Sequence, residues 1–117
     1  DCAVVNSDEK LRNVVIQMTE KPQGAALVLN ENQSLSGIVT EGDLRRCLAE
    51  NGDIDQLSAE EVMTKNPVSV LDTLPLSDAV SLMEDRTSQI SVLPVMNENG
   101  LCTGLLRIHD IYQTTLP

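Results

Sequence analysis

The sequence predicts an α+β fold assembled from two copies of a strand-helix-strand-strand-helix unit. Three observations predict it. Strand and helix periodicities follow one another in the same order twice. Matching landmarks recur at a nearly fixed offset. Gly37 and Gly104, Asp43 and Asp110, and the turns Asn30-Glu31-Asn32 and Asn97-Glu98-Asn99 each stand 67 positions apart. The helical faces Leu11–Met18 and Leu76–Met83 stand 65 apart, so a loop between helix and hairpin absorbs the difference. Finally, a unit of about 50 residues buries too little surface to be stable alone. Two copies, 1–57 and 58–117, are therefore expected to pack sheet to sheet about a pseudo-twofold axis.

The first copy opens with a short apolar pair, Val4-Val5. Ser7-Asp8-Glu9-Lys10 reads as a helix entry, with capping residues and early acidic charge. Leu11, Val14, Val15 and Met18 then give one helical face, and Pro22 and Gly24 end the helix. Ala25–Leu29 and Leu35–Val39 are apolar runs around a polar turn, the pattern of a β-hairpin. A helix follows from about Thr40 to Glu50, with Leu44, Cys47 and Leu48 on its apolar side and Asn51-Gly52 as its stop.

Ser58-Ala59-Glu60-Glu61 is a capping box for a short helix through Val62 and Met63, broken by Asn66-Pro67. The second copy then runs through a strand at Val68-Ser69-Val70 and a helix carrying Leu76, Ala79, Val80 and Met83. An apolar run from Ile90 to Val95, a return strand from Leu101 to Leu106 and a last helix from Ile108 to Thr115 complete it.

Composition removes several function classes. The net charge of −10 opposes nucleic-acid binding, whose affinity comes from Lys and Arg on phosphates. With no Trp, no Phe and one Tyr, no base-stacking platform exists. No apolar run reaches the roughly 18 residues of a membrane helix. Cys2, Cys47 and Cys102 lack metal-ligand spacing and read as reduced, partly buried thiols of a cytoplasmic protein. No catalytic constellation is visible, and His109 reads as a surface or capping residue at a helix start. The chain opens on Asp1 rather than Met, so a piece of a longer protein is expected.

The stretch that carries chemistry is Gly37-Ile38-Val39-Thr40-Glu41-Gly42-Asp43, running into Leu44-Arg45-Arg46. A strand ends and a helix begins there. Thr40 and Asp43 have the spacing of an N-cap and its third-position partner. The same turn could cap only its own helix or could present N–H groups and a dipole end to an anion. Downstream, Gly104-Leu105-Leu106-Arg107-Ile108-His109-Asp110 repeats the frame with Arg107 in place of the Thr.

This set of motifs resembles the CBS domain family. Val62-Met63-Thr64-Lys65-Asn66-Pro67-Val68 opens the second copy, and Gly-x-x-Thr-x-x-Asp closes the first. The stretch Gly37–Arg46, with Leu106–Ile111, is further similar to the C-terminal CBS pair of bacterial arabinose-5-phosphate isomerases. The resemblance implies a regulatory module without catalytic residues, metal or required cofactor. It would bind AMP, ADP, ATP or a CMP-sugar. It also implies an N-terminal sugar-isomerase (SIS) domain as partner, serving Kdo synthesis for lipopolysaccharide or capsule. A homodimer through the CBS pairs and a tetramer in the full-length enzyme are implied as well, as is a purely structural dimerisation role without ligand as the alternative.

By the same resemblance a first cleft would combine Gly37, Ile38, Thr40 and Asp43 with Val68, Ile90, Val92 and Pro94. A second, ranked lower because of Arg107, would combine Arg107 and Asp110 with Val5 and Ala26. Apart from the resemblance, Arg45 and Arg46 open the helix after Asp43, where one could reach a phosphate or both could serve as a solvated face or dimer-contact charge.

Overall fold

The computed structural model describes residues 2–50, 52–84 and 90–108. The fold is mixed α+β and divides into two compact units, 1–67 and 68–117. In the first, β1 (Ala3–Asn6), α1 (Leu11–Glu20), β2 (Ala25–Leu29), β3 (Leu35–Thr40), α2 (Glu41–Ala49), α3 (Ala59–Val62) and β4 (Thr64–Lys65) follow in order. Their sheet runs β1-β2-β3-β4, with β1 and β2 parallel and the other pairs antiparallel. The second unit holds β5 (Val70–Leu71), α4 (Leu76–Glu84), β6 (Val92–Met96) and β7 (Cys102–Arg107). Its sheet is β5-β6-β7, again one parallel pair followed by a hairpin.

The apolar stripes place the cores. Leu11, Val14 and Met18 of α1 are buried against Ala3, Val5, Ala26, Val28 and Val39, the outcome expected for i, i+3, i+7 spacing. Every residue of β2 is buried, as an uninterrupted apolar run requires. In the second unit Met83, Leu93 and Val70 form the counterpart core.

The two hairpins match atom for atom. Asn30 Oδ1 accepts the N–H groups of Asn32 and Ser34 at 2.9 and 3.0 Å. Asn97 Oδ1 accepts those of Asn99 and Leu101 at 2.9 and 3.0 Å. A register shift lies between Val28 and Leu29, and another between Val95 and Met96. Gln33 and Gly100 both take positive φ, 66° and 80°. These side-chain-capped turns explain why the Asn triplet recurs: the Asn carbonyl replaces a backbone acceptor.

Several expectations are corrected. Helix α1 does not begin within Ser7–Lys10 through a side-chain cap; Lys10 is its N-cap and makes no side-chain cap bond. Instead Leu11 N–H donates to the Leu57 carbonyl at 2.9 Å, while Ala59 and Glu60 N–H donate to the carbonyls of Glu9 and Ser7 at 2.8 and 2.9 Å. Two helix starts thus satisfy one another's orphan groups, which removes the need for a capping side chain. The strand expected at Val68–Val70 is displaced to Val70–Leu71, and β4, invisible as a two-residue strand, pairs with β3. On α2, Leu48 is 59% exposed and the buried residue is Asp43. The last helix, with His109 and Asp110, lies outside the described residues.

Candidate ligand site

The β3–α2 junction is built by a complete capping box. Thr40 is extended, φ −101° and ψ 167°. Its Oγ1 accepts the Asp43 N–H at 3.1 Å, and Asp43 Oδ2 accepts the Thr40 N–H at 2.9 Å. The Glu41 N–H donates to the Gly24 carbonyl at 3.3 Å. Gly42 N–H makes no bond among the described residues, and a Cβ there would meet only Thr40 Oγ1 at 3.6 Å and Arg45 Nη2 at 3.9 Å. Packing therefore does not demand a glycine at this position.

Asp43 is the one buried charged residue among those described, 4% exposed. Its carboxylate accepts from three donors. Arg46 donates to Oδ1 in a short ion pair. The Thr64 hydroxyl lies 3.2 Å from Oδ1 and 3.3 Å from Oδ2. With the Thr40 N–H, three donors supply the compensation that a buried carboxylate needs. Nothing in the local sequence marks Thr64 as a site residue, because it sits 21 positions away, on β4, a strand too short to show a period. Of the two arginines, Arg46 is committed to Asp43, and Arg45 lies beside Gly42.

Gly37 answers a close packing contact. A Cβ there would stand 2.6 Å from Met63 Sδ and 2.7 Å from the Thr64 carbonyl. At Gly104, its repeat counterpart, a Cβ would meet nothing within 4 Å.

The other expected site residues fall as follows. Ile38 is buried on β3, beside Thr40. Val5 and Ala26 are core residues of the first unit. Val68, Ile90, Val92 and Pro94 belong to the second, where Pro94 is fully buried and the others are half-buried. Arg107 ends β7, opposite Val92; Asp110 lies outside the described residues.

A cavity of about 350 Å³ opens within the first unit, lined by Asp43, Arg46, Cys47, Glu50, Leu57 and Glu61 among others. Asp43 is among its lining residues, and Thr40 and Gly37 are not. Among the described residues no group of His, Cys, Asp or Glu is placed to hold a metal ion. No helix among them is long and apolar enough to cross a membrane.

The CBS domain family model matches residues 1–50 and 59–114. The arabinose 5-phosphate isomerase KdsD of Pseudomonas aeruginosa is 35% identical over 101 residues, covering 86% of this chain and 30% of that protein. KpsF of Escherichia coli O6:H1, also an arabinose 5-phosphate isomerase, is 31% identical over 110 residues, covering 94% and 33%. The chain spans about a third of the length of these curated relatives. Among solved structures, the CBS domain protein PAE2072 from Pyrobaculum aerophilum, complexed with AMP, superposes with a TM-score of 0.83 at 26% identity. That match covers 93% of this chain and 82% of the other. The CBS domain NE2398 gives a TM-score of 0.87 over the whole chain and 90% of its own, at 24% identity. With two family matches in tandem and the repeat visible down to single hydrogen bonds, this chain belongs to the CBS domain family as a CBS pair.

Proposed function

We propose that this CBS pair is the ligand-sensing regulatory part of an arabinose 5-phosphate isomerase, and that it binds an adenine nucleotide or a CMP-sugar. The carrying observation is the β3–α2 junction. Thr40 Oγ1 accepts the Asp43 N–H and keeps its own proton to donate. The Gly42 N–H makes no bond among the described residues at the positive end of a nine-residue helix. Arg45 stands beside Gly42 and supplies a cation. Together they suit a phosphate. The similarity to KdsD and KpsF supports the isomerase parent, and the AMP complex of PAE2072 supports the nucleotide. An SIS catalytic domain on the N-terminal side would be the recipient of the signal.

A purely structural role is the second reading, and one observation favours it. The Asp43 carboxylate is already satisfied by Thr40, Arg46 and Thr64. A ribose diol would have to share the carboxylate oxygens with these three donors.

Titration calorimetry with AMP, ADP, ATP and CMP-Kdo separates the readings. Binding by at least one, weakened about tenfold or more by Thr40→Val, is expected if a single phosphate hydrogen bond is lost. No heat with any of the four, on folded protein, favours the structural role.

A further inference from the structure

Asn66 carries backbone strain where the chain leaves β4. Its φ is 48°, in the left-handed region that a residue with a Cβ enters at a cost. It also stands directly before Pro67, whose ring favours an extended residue in front of it. Gln33, the other non-glycine residue with positive φ among those described, has a turn to account for it. The Asn30 side chain caps that hairpin, and Gln33 N–H donates to the Asn30 carbonyl at 3.0 Å. Asn66 sits in no hairpin. It follows β4 at the end of the first unit, which closes at Pro67.

Three ties fix the chain just ahead of Asn66. Gly37 and Ile38 of β3 pair with Lys65 and Thr64. The missing side chain of Gly37 admits Met63 Sδ and the Thr64 carbonyl, which a Cβ would meet at 2.6 and 2.7 Å. The Thr64 hydroxyl donates to Asp43, 3.2 and 3.3 Å from its two oxygens. On the far side Pro67 fixes its own φ, so Asn66 absorbs the change of direction. The pairing covers only two residues, both exposed, at the edge of the sheet, and so short a strand holds weakly by itself. The bond to Asp43 is the tie that reaches a buried charge.

We propose that the Thr64–Asp43 bond is a latch: closed, it holds Asn66 in the left-handed region, and a vicinal diol offered to Asp43 opens it. Of the three donors on this carboxylate, Thr64 is the most easily replaced. Thr40 N–H donates at 2.9 Å from within the capping box, and Arg46 donates in a short ion pair. Thr64 instead spreads one proton over both oxygens at greater length. A diol brings two protons, one for each oxygen, and so exchanges one shared bond for two. With Thr64 released, β4 loses its buried anchor and Asn66 relaxes to the extended backbone that Pro67 favours. Occupancy beside Asp43 is thereby written into the backbone where the first unit ends. The opening step rests on the ligand reading above; the latch itself does not.

Nuclear magnetic resonance tests both parts, because a left-handed residue gives a strong Overhauser effect between its own amide and α protons that an extended one lacks. Thr64→Val is expected to lose that signal at Asn66 while the amide shifts of Val14 and Val28 stay in place, and Thr64→Ser is expected to keep it. A left-handed Asn66 in Thr64→Val overturns the latch, and so does loss of the signal in Thr64→Ser. If Thr64→Val does not stay folded, Asn66→Gly in the parent chain serves instead. It is expected to raise the urea midpoint by relieving the strain, and an unchanged or lower midpoint overturns the latch. Saturating AMP is expected to abolish the Asn66 signal in the parent chain, and dideoxyadenosine monophosphate, which lacks the diol, to leave it. A signal that persists at AMP concentrations saturating the calorimetric heat overturns the opening step. Absence of heat with AMP removes the ligand reading and the opening step together, and the Thr64 variants still decide the latch.

Discussion

The Thr64 hydroxyl sits within 3.3 Å of both oxygens of the Asp43 carboxylate, joining β4 to the first turn of α2. It fixes the candidate binding lip from a strand that follows the helix. Removing Asp43 therefore has a stability cost independent of any ligand. Asp43→Ala is expected to lower the stability of the first unit by about 1–2 kcal/mol through the lost cap. Thr64→Val, which deletes one hydrogen bond from an exposed residue, is expected to cost about 1 kcal/mol or less. Urea denaturation of the two variants checks the order.

The hairpin turns supply an internal control. Gln33 holds a left-handed conformation, φ 66°, where its counterpart is Gly100 at 80°. The side chain of Gln33 costs about 1 kcal/mol there, partly offset by the greater unfolded-state freedom of a glycine. Gln33→Gly is expected to stabilise by up to about 1 kcal/mol, and Gly100→Gln to destabilise by about 1–2 kcal/mol. Thermal unfolding should show opposite shifts.

Gly37 and Gly104 occupy equivalent positions with opposite demands. A methyl at Gly37 meets the Thr64 carbonyl at 2.7 Å, and the β3–β4 pairing cannot yield as a flexible side chain would. Gly37→Ala is expected to cost about 1–3 kcal/mol. Gly104→Ala is expected to be neutral or stabilising by up to about 1 kcal/mol. Equal effects would show that β4 does not hold its place against β3.

Acid sensitivity should report the ion pair beside the mutual helix caps. Arg12 Nε and Nη2 contact the two oxygens of Asp55 at 2.5 and 2.9 Å. The Arg12 hydrogen bond holds the Asp55 carboxyl below the usual carboxylate range. Because the folded value is the lower, the contribution is present above the ordinary Asp value of about 3.9 and is lost as pH falls through the depressed folded value. The pair is exposed, so the effect is small. Asp55→Asn is expected to lower the urea midpoint slightly at neutral pH, and the difference should vanish in strong acid.

The repeat was legible because its landmarks recur at a nearly fixed offset, and both hairpins, the Thr40–Asp43 box and the apolar face of α1 because each rests on local spacing. Long-range substitutions for local signals were not. The start of α1 is capped by Leu57, which lies 46 positions from Leu11, so Ser7-Asp8 misleads. The burial of Asp43 depends on Thr64, and no pattern around a first-turn carboxylate foretells it. Periodicity marks Leu48 and Leu76 as apolar-face residues but carries no information about what covers that face.

One titration tests the phosphate site at the β3–α2 junction most directly: AMP into the folded chain, and into its Thr40→Val variant, followed by calorimetry. Saturable one-site heat from the parent chain, with affinity reduced about tenfold or more in the variant, is the predicted result. Binding that is indifferent to Thr40→Val would contradict the placing of the phosphate at the β3–α2 junction.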